Sequence, residues 1–244
     1  MPAASARVLA SADAIRMLED PVAAAAWGRE AGLVDAPAAH RALVSLANSG
    51  LTFDLLADLC TRLTRLMPES GDADRVLAAL ERFLGAVRSP LATATLFQRD
   101  PQALATLVKI FAASPFLAEI VIADPEAWEE VRVGQGRPER PESLAAALAA
   151  ETALLAEPDT VMRALRRFRR RQTLRIAYGD IVAGQRLETV VAQLSHVADC
   201  VVQAAVRYAV ARLETRRGVP HGPDGSRATL AVIALGKLGG AELN

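Results

Sequence analysis

Aromatic residues make up only 4% of the 244, cysteine occurs twice, and positive and negative side chains cancel at 28 each. Each shortage excludes something. With a formal net charge of zero, no bulk field draws the chain to nucleic acid or to an anionic membrane surface. Cys60 and Cys200 stand singly inside expected helices without metal-ligand spacing, so they read as buried thiols in a reducing compartment rather than as a disulfide. His40 and His221 have no Cys, His or carboxylate at ligand spacing, and no metal site is expected. His196 falls on the polar side of its helix and reads as a surface residue. No apolar run reads as long enough to span a membrane, and the opening Met-Pro-Ala-Ala-Ser-Ala-Arg lacks the order of a signal peptide. The expectation is a soluble, cytoplasmic chain with neither a nucleic-acid nor a membrane partner.

Chemical signatures are equally sparse. Ser195 and His196 are neighbours without a nucleophile elbow, so serine hydrolysis has no footing. Glu129 with Glu130 and Asp72 with Asp74 are carboxylate pairs, but such close neighbours diverge on a helix and read as solvated or helix-start acids. No Walker A loop and no G-x-G-x-x-G is present.

What the sequence does have is alanine, leucine and proline in an order that spells helices. It is 52% hydrophobic and 23% charged, enough for one large or two small cores. Strand-like alternation is absent before Thr229, and prolines stand at helix starts or breaks. The pattern predicts helices over 3–19, 21–31, 37–48, 52–66, 72–87, 90–98, 101–112, 115–122, 125–132, 141–156, 159–182 and 187–216. It divides the chain into an N-terminal helical region (1–132), a Gly/Pro loop (133–142), a long-helix region (143–217), a second loop (218–227) and a terminal segment (228–244).

Two helices carry most of the information. In 159–182, seven arginines from Arg163 to Arg175 have no acidic residue among them. Arg163, Arg166, Arg167 and Arg170 share one side at helical spacing, opposite an apolar stripe of Val161, Leu165, Phe168 and Ile176. That face reads either as a solvated surface paired with acids on neighbouring helices, as an anion-facing wall, or as a nucleic-acid contact, the last without the stacking aromatics it would need. The helix 187–216 repeats apolar residues from Leu187 to Leu213 at three- and four-residue steps and is expected to pack along its whole length.

The chain then changes character. Thr229-Leu-Ala-Val-Ile-Ala-Leu235 is too short for an independent helix, and its apolar run predicts a buried strand. It leads into Gly236-Lys-Leu-Gly-Gly240, where glycines allow a sharp turn and close backbone approach and Lys237 offers a charge. On spacing alone this is either a plain strand-to-turn connection or a phosphate-cradling loop.

The word Ala234-Leu-Gly-Lys-Leu-Gly-Gly-Ala-Glu-Leu-Asn244 resembles the opening half of the nucleotidyltransferase signature of the glutamine synthetase adenylyltransferase/deadenylase family. Phe111-Ala-Ala-Ser-Pro-Phe-Leu through Asp124-Pro-Glu-Ala-Trp128, the arginine-rich Leu165–Ala177 and Leu187–Asp199 are similar to that family's helices, in the family's order. The resemblance covers roughly the C-terminal 140 residues. It implies a mainly α fold, a multi-helix N-terminal array leading into the first strand of a truncated nucleotidyltransferase-type α/β core. It also implies an enzyme that adds AMP to a tyrosine of glutamine synthetase or removes it with phosphate, using Mg²⁺ and ATP or ADP, in the control of nitrogen assimilation. The family carries two nucleotidyltransferase copies, and the position of the motif implies the N-terminal, deadenylylating copy.

Carried onto this sequence, Gly236, Lys237, Gly239 and Gly240 face the nucleotide, and the arginines 163, 166, 167 and 170 become candidates to face an anion near it. In the family a Ser-Asp-x-Asp strand follows and supplies the metal-binding acids. These 244 residues contain no such string, so no catalytic or metal-binding residue is named here and the chain alone is expected to be inactive. Glutamine synthetase and a nitrogen-signalling regulatory protein are the implied partners. The alternative is a helical protein-interaction module without chemistry of its own.

Overall fold

The computed structural model describes residues 7–243. Helices dominate it, and the reason is local. Proline occupies the first or second position of α2 (Pro21–Glu30), α3 (Ala36–Asn48), α6 (Pro90–Arg99), α7 (Pro101–Ala113), α8 (Pro115–Ala123), α10 (Pro141–Thr152) and α11 (Pro158–Ile181), where its fixed φ suits the helix and its missing N–H costs nothing. Short polar side chains cap the same boundaries. Asp20, Asp35, Ser89 and Asp100 accept from the first-turn amides of α2, α3, α6 and α7. Thr52 and Asp72 do so for α4 (Phe53–Leu66) and α5 (Ala73–Ala86). Each such cap contributes about 1 kcal/mol.

The chain forms two compact units, Met1–Val133 and Gly134–Asn244. In the first, α5 is the hub: it packs against α3, α6, α7 and α8, while α1 (Ser11–Glu19) packs on α2 and α4. The few aromatics are concentrated here. Phe83 meets Phe111 and Trp128 edge-to-face at 6.2 and 5.5 Å, and Phe97 meets Trp128 at 6.2 Å. The ring edges present partial positive charge to neighbouring faces. Arg132, on α9 (Pro125–Gly134), lies over Trp128 at 5.8 Å and pairs with Asp100 and Glu129.

In the second unit, α10, α11 and α12 (Leu187–Arg217) pack on one another. Leu144, Leu148, Val161, Leu165, Phe168, Ile176, Val190, Val197 and Cys200 form the core. The expected apolar stripe of the arginine-rich helix is thus its buried face. A polar junction holds the remaining loop. Arg175, 8% exposed, donates from Nη1 to the Arg137 carbonyl at 2.6 Å, from Nη2 to Gln193 Oε1 at 2.8 Å and from Nε to Gln172 Oε1 at 2.6 Å, with Glu139 at 3.4 Å. Gln193 in turn accepts from the Glu139 amide and donates to the Glu139 carbonyl. Gly136 has φ +62, and a Cβ there would stand 2.6 Å from the Gly179 nitrogen.

Several expectations need correction. The helix drawn over 3–19 starts at Ser11; residues 3–6 lie outside those described. The helix expected to reach 156 ends at Thr152. Helix α12 does not pack along its whole length: no residue beyond Cys200 is buried, and Leu187 and Leu213 are 70% and 59% exposed. By length and composition α12 is also the one helix among those described that could cross a membrane, against the expectation that none reaches that length; 28% of its apolar window is buried.

The largest departure is at 229–235, where no strand forms. Strand pairing needs a neighbouring edge for the backbone N–H and C=O groups, and the described residues hold only one isolated bridge, His221 with Arg227. Leu235 is extended, while Leu230, Val232, Ile233 and Leu235 are 59–85% exposed.

Substitution at the junction should register in the second unit. Arg175→Met leaves the Arg137 carbonyl and Gln172 Oε1 without the donor described above and Gln193 Oε1 with only the Glu139 amide, and should cost about 3 kcal/mol, whereas Arg169→Met, on the exposed face, should stay within about 0.5 kcal/mol; urea unfolding followed by circular dichroism reads both. Burial pushes the Cys60 thiol well above its ordinary value of 9.0. The native state keeps that proton while the unfolded state releases it, so stability should be flat below about pH 9 and fall above it. Cys60→Ala should flatten that alkaline decline in a pH series of urea melts.

Candidate functional site

Residues 218–243 begin with a short hairpin. The Gly222 amide donates to the Ser226 carbonyl at 2.8 Å and the Ala228 amide to the Pro220 carbonyl at 2.9 Å. Asp224 accepts from both the amide and the hydroxyl of Ser226, and these bonds hold its carboxyl below the usual range. Arg227 pairs with Glu214 at 2.6 Å, tying the hairpin to the end of α12. The stretch expected as a plain loop is therefore a folded turn attached to its preceding helix.

The glycine word forms a single helical turn, α13 (Gly236–Gly239). Amides just after it cap its carbonyls: Gly240 N–H donates to the Gly236 carbonyl at 3.0 Å and Glu242 N–H to the Lys237 carbonyl at 2.7 Å. The glycines serve different ends. Gly236 has φ +65 with open space where a Cβ would stand, the left-handed conformation glycine adopts without penalty. Gly239 is required by the chain's own packing, since a Cβ there would lie 2.5 Å from the Ala234 carbonyl oxygen. Gly240 has only ordinary contacts around it. Lys237 is exposed on this turn. Asn244, at the end of the word, lies outside the described residues.

The arginine-rich face divides in two. Arg163 and Arg167 line a cleft of about 560 Å³ together with Arg171, Thr160, Ala164, Leu155 and Glu151. Arg166 and Arg170 are exposed and are not part of that lining. Arg171, outside the expected face of Arg163, Arg166, Arg167 and Arg170, completes an i, i+4, i+8 series with Arg163 and Arg167. Arg175, from the same run, is the buried junction residue described above.

A metal has no evident seat. Among the described residues, no group of three or more His, Cys, Asp or Glu side chains could hold an ion. The candidate carboxylate pairs are otherwise engaged: Asp72 caps α5 and Asp74 accepts from the amides of Val34 and Asp35, while Glu129 pairs with Arg132. The residues present therefore do not fit a Mg²⁺ site. His196 is half-buried rather than on the surface, its Nδ1 enclosed without a hydrogen-bond partner. Both cysteines are free and buried, as expected.

Comparison with known proteins agrees with the motif order. The family model described as glutamate-ammonia ligase adenylyltransferase matches residues 104–244. A bifunctional glutamine synthetase adenylyltransferase/adenylyl-removing enzyme from Xanthomonas axonopodis pv. citri is 32% identical over 244 residues, covering 96% of this chain and 25% of the relative. Proteins of the same description from Thioalkalivibrio sulfidiphilus and Corynebacterium efficiens are 31% and 33% identical, over 88% and 56% of this chain and 24% and 13% of theirs. The chain spans about a quarter of the length of the relatives that it matches most fully. No solved structure matches it. The helical succession through α7–α12, the glycine turn that follows and the match over 104–244 together place this chain in the glutamate-ammonia ligase adenylyltransferase family.

Proposed function

We propose that these residues are the helical portion of a bifunctional glutamine synthetase adenylyltransferase/adenylyl-removing enzyme that leads into its deadenylylating nucleotidyltransferase site. The observation that supports this is the continuous similarity through α7–α12 into the glycine turn, since the turn is the element that would meet a nucleotide. In this reading Gly236 allows the backbone to reverse beside the phosphates. Gly239 lets the turn close on Ala234, and the exposed Lys237 supplies positive charge nearby. The chemistry would be attack of phosphate on the phosphorus of an AMP-tyrosine, releasing ADP and the free tyrosine hydroxyl. Mg²⁺ would supply charge neutralisation at that phosphorus, held by carboxylates outside these residues, because the described ones offer no such group. Glutamine synthetase would be the protein substrate, a nitrogen-signalling protein the regulator, and the cytoplasm the compartment.

A second reading, a helical interaction module without chemistry, draws on the exposed apolar residues of α12 and of 229–235. One assay separates the two. Adenylylated glutamine synthetase, phosphate and Mg²⁺ incubated with the 244-residue chain should yield no ADP, and with a protein carrying these residues at the length of the relatives should yield ADP. In that longer protein Gly239→Val should lower the rate by at least about tenfold, a rise of roughly 1.4 kcal/mol in the barrier. ADP from the short chain would sink the placement of the carboxylates outside it; no ADP from either would favour the interaction module.

A further inference from the structure

Glu214 stands where its own helix does not favour it. The last turn of α12 carries Arg216 and Arg217, cations that suit the negative end of a helix dipole, and a carboxylate there is opposed by the same dipole. Its side chain is nevertheless only 19% exposed, and its compensation comes from outside the helix: Arg227 Nη2 donates to Glu214 Oε1 at 2.6 Å, from 13 residues away. A residue that breaks a local rule and is repaired from further along the chain marks a constraint other than helix stability.

That constraint is direction. The chain leaves α12 at Gly218, with φ +85 and open space where a Cβ would stand, a residue of wide backbone freedom. The hairpin that follows is internally bonded: the Pro220 and Ser226 carbonyls accept from the Ala228 and Gly222 amides, and Asp224 holds Ser226. A stiff body on a swivel has no set orientation until something ties it, and Arg227, near the hairpin's end, is bonded to Glu214. The apolar segment beyond it brings no packed side chain of its own, since Leu230, Val232, Ile233 and Leu235 are exposed. Nine residues take the chain from Arg227 to Gly236, at most about 30 Å when extended, so a swing of ~10° at the hairpin moves the glycine turn by up to about 5 Å. Catalysis tolerates far less, a misplacement of about 1 Å costing as much as about a hundredfold in rate.

We propose that Glu214 and Arg227 are positioning residues for the glycine turn: their ion pair clamps the 220–228 hairpin to the end of α12 and so sets the direction in which Thr229–Leu235 carries Gly236–Gly240. The proposal rests on the enzymatic reading above, in which that turn meets a nucleotide; both side chains act through the turn. An isolated exposed ion pair adds little to stability, so breaking it should leave the fold intact, and this separates positioning from folding.

Two measurements test it. In the 244-residue chain with Cys60 and Cys200 replaced by alanine, spin labels at Gln203→Cys on α12 and His221→Cys on the hairpin report a distance distribution by double electron–electron resonance. The parent should give one narrow distribution, Glu214→Gln should broaden it at least about twofold, and the swapped pair Glu214→Arg/Arg227→Glu should narrow it again. In the protein of the relatives' length, Glu214→Gln should lower kcat for ADP release about tenfold, leave KM for adenylylated glutamine synthetase within twofold and leave the melting temperature unchanged. The swapped pair should recover most of that loss, and Arg216→Gln, which removes an exposed charge from the same helical turn, should change kcat less than twofold. Where Glu214→Gln lowers the melting temperature, Arg227→Gln removes the same pair from the hairpin side and should give the same loss in kcat. A distribution that Glu214→Gln leaves narrow, a loss that the swapped pair does not recover, or an equal loss in Arg216→Gln overturns the proposal. If the parent releases no ADP, the enzymatic reading fails and the positioning role with it; ADP from the parent together with full kcat in Glu214→Gln overturns the positioning role alone.

Discussion

The guanidinium of Arg175, buried where α11, α12 and the 135–140 loop meet, is the interaction on which the second unit depends. Removing a charge from water costs several kcal/mol unless hydrogen bonds replace its hydration. Here every nitrogen of the fork has an assigned partner: Gln172, the Arg137 carbonyl and Gln193, with Glu139 adding the opposite charge. Burial shifts the group downward from its ordinary value more than Glu139 shifts it up, yet guanidinium ionises so far above neutrality that it stays charged. The partners come from three separate stretches of chain, so satisfying one side chain fixes all three. Gly136 then becomes necessary, because at φ +62 it sits against the α11 backbone with no room for a Cβ.

One run of arginines thus serves unlike ends, and helix geometry decides which. Arg175 falls at the edge of the apolar stripe and is drawn into the core, where loop carbonyls are waiting. Arg163, Arg167 and Arg171, four residues apart, face the cleft beside α10. Arg166, Arg169 and Arg170 are exposed and lie outside that cleft. Because Leu165 and Phe168 hold α11 against its neighbours, the row of arginines has a fixed orientation without any interaction among like charges to maintain it.

Helices in this chain are legible in its sequence because their causes are local. Proline at the first turn, an Asp, Ser or Thr cap just before it and a periodic apolar face all lie within a few residues, and α2 through α9 begin and end close to where those signals stand. The Arg175 junction was not legible. Its partners are as far as 38 residues away, and nothing in spacing separates one arginine of seven from the rest. The cleft was half legible: Arg163 and Arg167 follow from helical periodicity, but whether Arg166 or Arg171 joins them depends on where α10 ends, and the sequence pattern carried α10 past Thr152. The cysteines were legible as buried thiols, whereas His196 was not, since its enclosure comes from tertiary packing.

Thr229–Leu235 is where local and non-local causes separate most clearly. Leu230 and Val232 alternate with Ile233 and Leu235 across the two sides of an extended segment, and all four are exposed. A strand with one wet face would carry polar residues on it; apolar residues on both sides suit a strand covered above and below, as in a sheet packed between layers. The backbone demands as much again, since an extended segment satisfies its N–H and C=O groups only through neighbours on either edge. None of the described residues supplies either kind of cover. The segment therefore reads as a strand and does not form one, for a single physical reason: β structure is a property of pairs, and propensity in one member cannot create the other.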